Sequence, residues 1–285
     1  MSDSLKKCLS LFLCLAVLFT ARASTVSDTG RIQVAHAETP ICTEIYKANV
    51  VFPSIFSGQE ERMKTYILQF AKNRRDYVIR MHHKGRRYFS KVSSIFKKYG
   101  VPSEFRVLMA LESAFNAQAV SKAGAVGFWQ FMDQPAREYG LKIIEKQLPG
   151  KKPTATLKPM VNSKGKTVQP TDDRTHFTKS TYAAAQYLRD RSRNLNNDWL
   201  LIAASYNWGV GNVWAAMKKT KMEQPGYWDI EPYVPAETRA YVLNFITLNV
   251  LFHNYEAFLK NDLRFEDREV KQLLLPVINP TVQTL

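Results

Sequence analysis

Apolar residues recur at three- and four-residue spacing along most of the chain, and that period predicts helices. In "GQEERMKTYILQFAKNRRDYVIRMHHKGRRYFSKVSSIFKKYG" the inward positions are Met63, Tyr66, Ile67, Phe70, Tyr77, Phe89, Val92, Ile95 and Phe96, on amphipathic helices with strongly basic outer faces. Gly100 closes the last of these and Pro102-Ser103 opens the next, the expected stop and start chemistry. "DQPAREYGL" makes a short helix that ends at Gly140. Residues 149–171 are rich in Pro, Lys and Thr and contain the turn signal "NSKG", so they read as a basic surface loop or a small hairpin. Helices resume at "TKSTYAAAQYLRDRSRNL", at "NDWLLIAASYNWG" up to Gly209, at "VGNVWAAMKK" and, after Pro235, at "AETRAYVLNFITLNVLFHNY". Little strand is visible, and there is no internal repeat or heptad array. The expected fold class is all-α.

One position breaks the pattern. Within "VLMALESAFNAQAV", residues 107–120, a carboxylate sits on what reads as the core face of a helix. At about 100° per residue, Phe105, Leu108 and Phe115 fall within roughly 60° of Glu112. The positions three and four residues away are Leu108, Met109, Phe115 and Asn116, so no local Lys or Arg compensates the charge. Low-dielectric surroundings penalise an ionised carboxylate, and a carboxyl held neutral is what a general acid needs. A Glu paired with a distant Arg, or turned out to solvent, stays open as the plain alternative.

Composition narrows the partners. The chain has 285 residues, 45% hydrophobic, enough for one substantial core or two small ones. Its formal charge of +15 suits an acidic or polyanionic partner: nucleic acid, an anionic membrane surface, or a cell-wall polymer carrying carboxylates. "MSDSLKKCLSLFLCLAVLFTARAS" has Lys6 and Lys7, then an apolar stretch from Leu9 to Phe19, then Ala21-Arg22-Ala23, the pattern of a secretory signal peptide. The apolar run is shorter than the ~20 residues of a membrane span. Export to a periplasm or cell envelope argues against nucleic acid as the partner. Cys8 and Cys14 leave with residues 1–23, and Cys42 is left without an intrachain partner. Loss of Lys6, Lys7, Arg22 and Asp3 removes a net +2, so the remainder still carries +13.

Other chemistries fit poorly. The five histidines do not fall at ligand spacing, a single remaining cysteine cannot build a thiolate site, "GVG" is a fragment of a phosphate loop, and no Gly-x-Ser-x-Gly elbow is present. No metal or cofactor is expected.

Several stretches together resemble one family. "RDYVIR", "KKYGVPSEF", "ESAFNAQAVSKAGAVGFWQFM", "STYAAAQYLRD", "DWLLIAASYNWGVGNVWAA" and "PAETRAYVLNF" occur in the order found in lytic murein transglycosylases of the goose-type-lysozyme-like superfamily. Within it, the chain resembles the branch typified by membrane-bound lytic transglycosylase D. The resemblance covers roughly residues 60–250 and implies a lysozyme-like, all-α catalytic domain. It also implies a peptidoglycan lyase that cuts the bond between N-acetylmuramic acid and N-acetylglucosamine without water and leaves 1,6-anhydro ends. Glu112 matches the family's acid/base. Ser121, Gly124, Gly127 and Gln130 match the motif that shapes the cleft floor, with Gln130 hydrogen-bonding the sugar chain. Tyr206 and Asn207 match the element facing the carboxyl and the N-acetyl group, and Tyr241 the tyrosine that orients the acid.

Each position also has a plainer reading. Gly124 and Gly127 permit tight turns, Tyr206 is a core aromatic, Asn207 a C-terminal cap, and Phe128 and Trp129 are either core or sugar platform. The sequence departs from the family where "MDQPAREYG" follows the cleft motif, and the basic segment at 149–171 is longer than in many relatives. The expected organisation is a signal peptide (1–23), a tether (24–58), an N-terminal helical segment (59–100), the catalytic domain (101–255) and a tail (256–285). A monomer that binds peptidoglycan glycan strands is expected, with peripheral membrane association open. The competing readings are a hydrolytic muramidase with Asp133 or Glu237 as second carboxylate, a non-catalytic wall-binding module, and a helical nucleic-acid binder.

Overall fold

The computed structural model describes residues 41–144, 160–161, 167–168 and 171–273. The expected signal peptide, the tether up to residue 40, the "NSKG" turn and the tail from residue 274 lie outside them. The chain divides into two compact units: Asn49–Phe265, and a smaller one in which 41–48 meets 266–273.

Four short strands are described: β1 (Ile41–Tyr46), β2 (Met160–Val161), β3 (Thr167–Val168) and β4 (Arg268–Leu273). In the smaller unit β1 and β4 are antiparallel, with Ile41 opposite Leu273 and Tyr46 opposite Arg268. Beyond this ladder Asp267 accepts from Lys47 Nζ at 2.7 Å and from the Ala48 amide at 2.9 Å. These strands arise in segments that showed no strand signal. Each is short, and the two stand at opposite ends of the described chain, so local patterning could not reveal the pair.

The larger unit is helical, as expected: α1 (Glu60–Asn73), α2 (Arg75–Lys98), α3 (Leu108–Ser113), α4 (Asp133–Glu138), α5 (Phe177–Asn194), α6 (Trp199–Trp208), α7 (Val210–Lys219), α8 (Tyr227–Ile230), α9 (Ala236–His253) and α10 (Tyr255–Leu259). No helix among the described residues is long and apolar enough to cross a membrane. Two helices form its centre. Every residue of α6 from Leu200 to Ser205 and of α9 from Phe245 to Leu251 is buried, the condition of a helix enclosed on all sides. α9 packs on α1, α2, α3, α6 and the 3-10 turn at Ser103–Val107. Aromatic contacts seal this packing: Phe245 meets Phe105 at 4.9 Å and Phe56 at 5.5 Å between ring centres. Each such fully buried side chain is worth about 1.5–3 kcal/mol.

Local signals fix the ends of α6. Asp198 Oδ1 accepts the amides of Leu200 and Leu201, both at 2.9 Å, and Oδ2 accepts the Tyr227 amide at 3.1 Å, so one cap starts α6 and pins α8. At the other end Gly209, at φ 85°, turns the chain directly into α7. Tyr206 and Asn207 occupy the last turn between these fixed points.

In the 149–171 segment β2 and β3 pair antiparallel, Met160 with Val168, in keeping with a small hairpin. Its flanks are joined. The Asp173 amide donates to Lys142 O at 2.8 Å, and the Lys142 amide donates to Asp173 Oδ2 at 3.1 Å.

Candidate active site

Glu112 lies in the last turn of α3, and the helix that carries it is shorter than the sequence pattern suggested. Residues 103–107 are 3-10, and α3 ends at Ser113. The helical wheel that placed Phe105 and Phe115 beside Glu112 therefore does not apply to them. Ala114 and Phe115 both take left-handed conformations, φ 50° and 62°, which costs of order 1 kcal/mol or more each for non-glycine residues. The Phe115 amide reaches back to Met109 O at 3.1 Å. The strain is offset by burial: Phe115 stacks on Tyr88 with ring centres 5.8 Å apart and meets Phe89 at 5.9 Å. This aromatic anchor on α2 sets where the helix stops and so where Glu112 points.

The Glu112 side chain is half-buried, and Oε1 accepts a 2.5 Å hydrogen bond from the Tyr241 hydroxyl on α9. Loss of hydration around the carboxyl pushes its pKa from 4.5 up to about 7, while the Tyr241 hydrogen bond, favouring the ionised form, pulls the other way. The acid is therefore poised to hold or release a proton near neutrality. Burial holds Tyr206 and Tyr241 well above the ordinary phenol value, and the Glu112 charge adds to that, so both stay neutral donors. Tyr206 donates to Trp129 O at 2.7 Å.

Around this carboxylate the structure gathers Tyr241 and Tyr206, and a residue that sequence reasoning did not single out, Tyr187 of α5. Tyr187 meets the Tyr206 ring edge-on at 5.4 Å; its hydroxyl is pushed up mainly by burial, with the Glu112 charge among the smaller causes. It stood within "STYAAAQYLRD", but nothing in that local pattern separated it from a core tyrosine. Thr238 was missed as well. Its buried hydroxyl donates to Asn207 Oδ1 at 2.8 Å, which ties Asn207 to α9 one turn before Tyr241.

Among the described residues Ser121, Gly124, Gly127 and Gln130 make no hydrogen bond to Glu112; they lie in a loop tied beside it. Their bonds stay within that loop: Ser121 Oγ accepts the Ala125 amide at 3.0 Å, and Gln130 Nε2 donates to Gly127 O at 2.9 Å and Ala119 O at 3.1 Å. Gly124 (φ 90°) faces open space, whereas a Cβ on Gly127 (φ 84°) would lie 2.0 Å from Arg174 O. Two neighbouring carbonyls hold the loop to the acid: Ser113 Oγ donates to Phe128 O at 2.9 Å, and Tyr206 takes Trp129 O. Phe128 and Trp129 are themselves core, 5% and 0% exposed, with Trp129 Nε1 donating to Thr181 at 3.1 Å, so the platform reading is not kept.

Of the two alternative carboxylates, Asp133 is bound by Arg174, a buried residue that also holds Asp172 at 2.7 Å and Phe131 O at 3.3 Å. Glu237 is exposed in the first turn of α9. No group of His, Cys, Asp and Glu among the described residues is arranged to hold a metal ion.

Residues 93–228 match the family model of the transglycosylase SLT domain. That stretch is just under half of the chain. The SLT match begins inside α2, ends in α8 and includes Glu112, the 121–130 loop, Tyr206 and Asn207; Tyr241 and Thr238 lie beyond it. Over 202 residues the chain is 26% identical to membrane-bound lytic murein transglycosylase D of Escherichia coli K12, covering 70% of this chain and 39% of the relative. The chain thus spans about two fifths of that protein's length. Among solved structures, the lytic transglycosylase Slt of Pseudomonas aeruginosa (an inactive mutant) aligns at TM-score 0.42 and 22% identity, covering 61% of this chain and 24% of that one. The 70 kDa soluble lytic transglycosylase of Escherichia coli aligns at TM-score 0.41 and 17% identity, covering 77% and 39%.

The raised acid makes stability depend on pH. Below pH 4.5 the carboxyl is protonated folded or unfolded; above it the folded state keeps the proton more tightly. This contribution is full at low pH and is lost as pH rises through about 7, a change on the order of 3 kcal/mol. Thermal melts between pH 5 and 8 are expected to show the wild type losing stability relative to Glu112→Gln. Parallel curves for the two proteins would contradict the buried acid.

Proposed function

We propose that this chain is a peptidoglycan lytic transglycosylase in which Glu112 acts first as acid and then as base. The observation that carries the reading is a single carboxyl raised to about 7 by burial, hydrogen-bonded by Tyr241, with the candidate second acid Asp133 engaged by Arg174. Protonated Glu112 gives its proton to the glycosidic oxygen between N-acetylmuramic acid and N-acetylglucosamine, and the C1–O bond breaks with its electrons leaving on that oxygen. The ionised carboxylate, held by the Tyr241 hydroxyl, then takes the proton of the muramic acid's own C6 hydroxyl. That oxygen bonds C1 and closes the 1,6-anhydro ring. The nucleophile is part of the substrate, so proximity replaces an activated water and no second carboxylate is needed.

Mass spectrometry of digested peptidoglycan tests this. Muropeptides should end mainly in 1,6-anhydro-N-acetylmuramic acid, resist borohydride, and weigh about 18 Da less than hydrolysis products, one water not added. Chiefly reducible ends would make the enzyme a muramidase and Glu237, one turn before Tyr241 on α9, the next residue to replace.

The Tyr241 bond yields a second expectation. Because it favours the carboxylate, Tyr241→Phe should move the alkaline limb of the kcat/KM profile above its wild-type position near pH 7 and lower kcat by about 10-fold. An unmoved limb would mean that Tyr241 does not set the acid's proton affinity.

A further inference from the structure

α2 carries a row of charge that the site around Glu112 does not use. With Arg80 as origin and about 100° per residue, Lys84 lies at about 40°, Arg87 at about −20°, Lys91 at about 20° and Lys98 at about 0°. Five cations thus share an arc of about 60° along roughly 27 Å of helix. All five are exposed, and no ion pair engages them among the described residues. Four of them precede residue 93, where the SLT match begins.

Its placement on the helix is informative. Tyr88 lies at about 80° on the same wheel. It stacks on Phe115 and meets Phe128 edge-on at 5.4 Å. His82 and Phe89 lie on the opposite side of the helix from the row; both meet Phe252 of α9, and Phe89 also reaches Phe115 at 5.9 Å. The row therefore lies next to the flank of α2, marked by Tyr88, that meets the segment following Glu112. Lys84 makes the junction: its Nζ donates to Ala114 O at 3.2 Å, two residues past Glu112.

We propose that this row binds the carboxylate-bearing peptide stems of a peptidoglycan strand while Glu112 acts on the glycan, a reading that rests on the proposed function. A strand laid past Glu112 carries a series of stem carboxylates, and a straight row of cations leading away from the acid complements them in sign and in linear form. An anionic bilayer is the less suited occupant. α2 exposes no large apolar side chain among the described residues, and interfacial helices combine basic residues with an apolar face.

The test uses Arg87→Gln/Lys91→Gln/Lys98→Gln, which leaves Lys84 and its bond to Ala114 in place. Substrates are uncross-linked glycan strands with their stems and the same strands stripped by an amidase. On stem-bearing strands the triple variant should show KM raised about 10-fold with kcat within about twofold, while on stripped strands it should match the wild type. The difference should fade in about 0.5 M salt. An equal KM for both proteins on stem-bearing strands, or an equal loss on both substrates, overturns the proposal. So does a variant that loses only its binding to vesicles of anionic phospholipid, which would assign the row to a lipid surface. If the wild type cuts neither substrate, the proposed function fails. The row is then judged by sedimentation of Glu112→Gln, with and without the triple change, on stem-bearing and stripped walls: a stem-dependent loss supports it and equal sedimentation overturns it.

Discussion

Glu112→Gln lowers release of anhydro-muropeptides by at least about 10²-fold while leaving the helical fold and wall binding intact, the scale expected for loss of a general acid. The change is close to isosteric. Glutamine keeps an oxygen for the Tyr241 hydroxyl, so the loss reports on the missing proton and not on a collapsed site. The readout is turnover on purified peptidoglycan beside a circular dichroism spectrum and a sedimentation assay. Near-normal turnover would remove Glu112 from the mechanism. Lost turnover with retained binding also separates an enzyme from a wall-binding module, for which the substitution would be silent.

The largest effect on stability is expected at Gly127. A Cβ there meets the Arg174 carbonyl carbon at 2.6 Å as well as its oxygen at 2.0 Å, and these are backbone atoms that cannot rotate away. Arg174 is fixed in turn by Asp133, Asp172 and Phe131 O. Gly127→Ala should therefore cost about 3 kcal/mol or more, a fall in Tm of about 6–12 °C. Gly124→Ala is the control: its φ of 90° imposes the same kind of strain but no clash, so it should cost only about 1 kcal/mol. Equal melting points for the two variants would show that the close approach to Arg174 does not matter.

The sequence was most legible where periodicity is long and chemistry is local. α5, α6 and α9 appear where apolar spacing and the breakers Gly209 and Pro235 put them, and Glu112 stood out because no neighbour on its own helix could neutralise it. Legibility stopped where a role depends on a partner far along the chain. Thr238 is one more small polar residue on a buried helix until Asn207, 31 residues earlier, is seen against it. Tyr187 reads as core until Tyr206 and Glu112 are placed beside it. The early end of α3 was hidden for a related reason: Ala and Phe are poor markers of a left-handed turn, and it is the aromatic pocket of α2 that holds them there.

The paired hydrogen bonds between Lys142 and Asp173 make a clasp at the two ends of the basic 149–171 segment. Chain leaving at one end returns at a point already fixed by the helical unit, so the length between them is nearly decoupled from the rest of the fold; doubling such a loop costs only about 0.6 kcal/mol in closure entropy. The clasp is therefore a splice point. Lineages can trade that segment for a shorter or longer one, and an engineer can insert a foreign module there, without retuning the helices that hold Glu112.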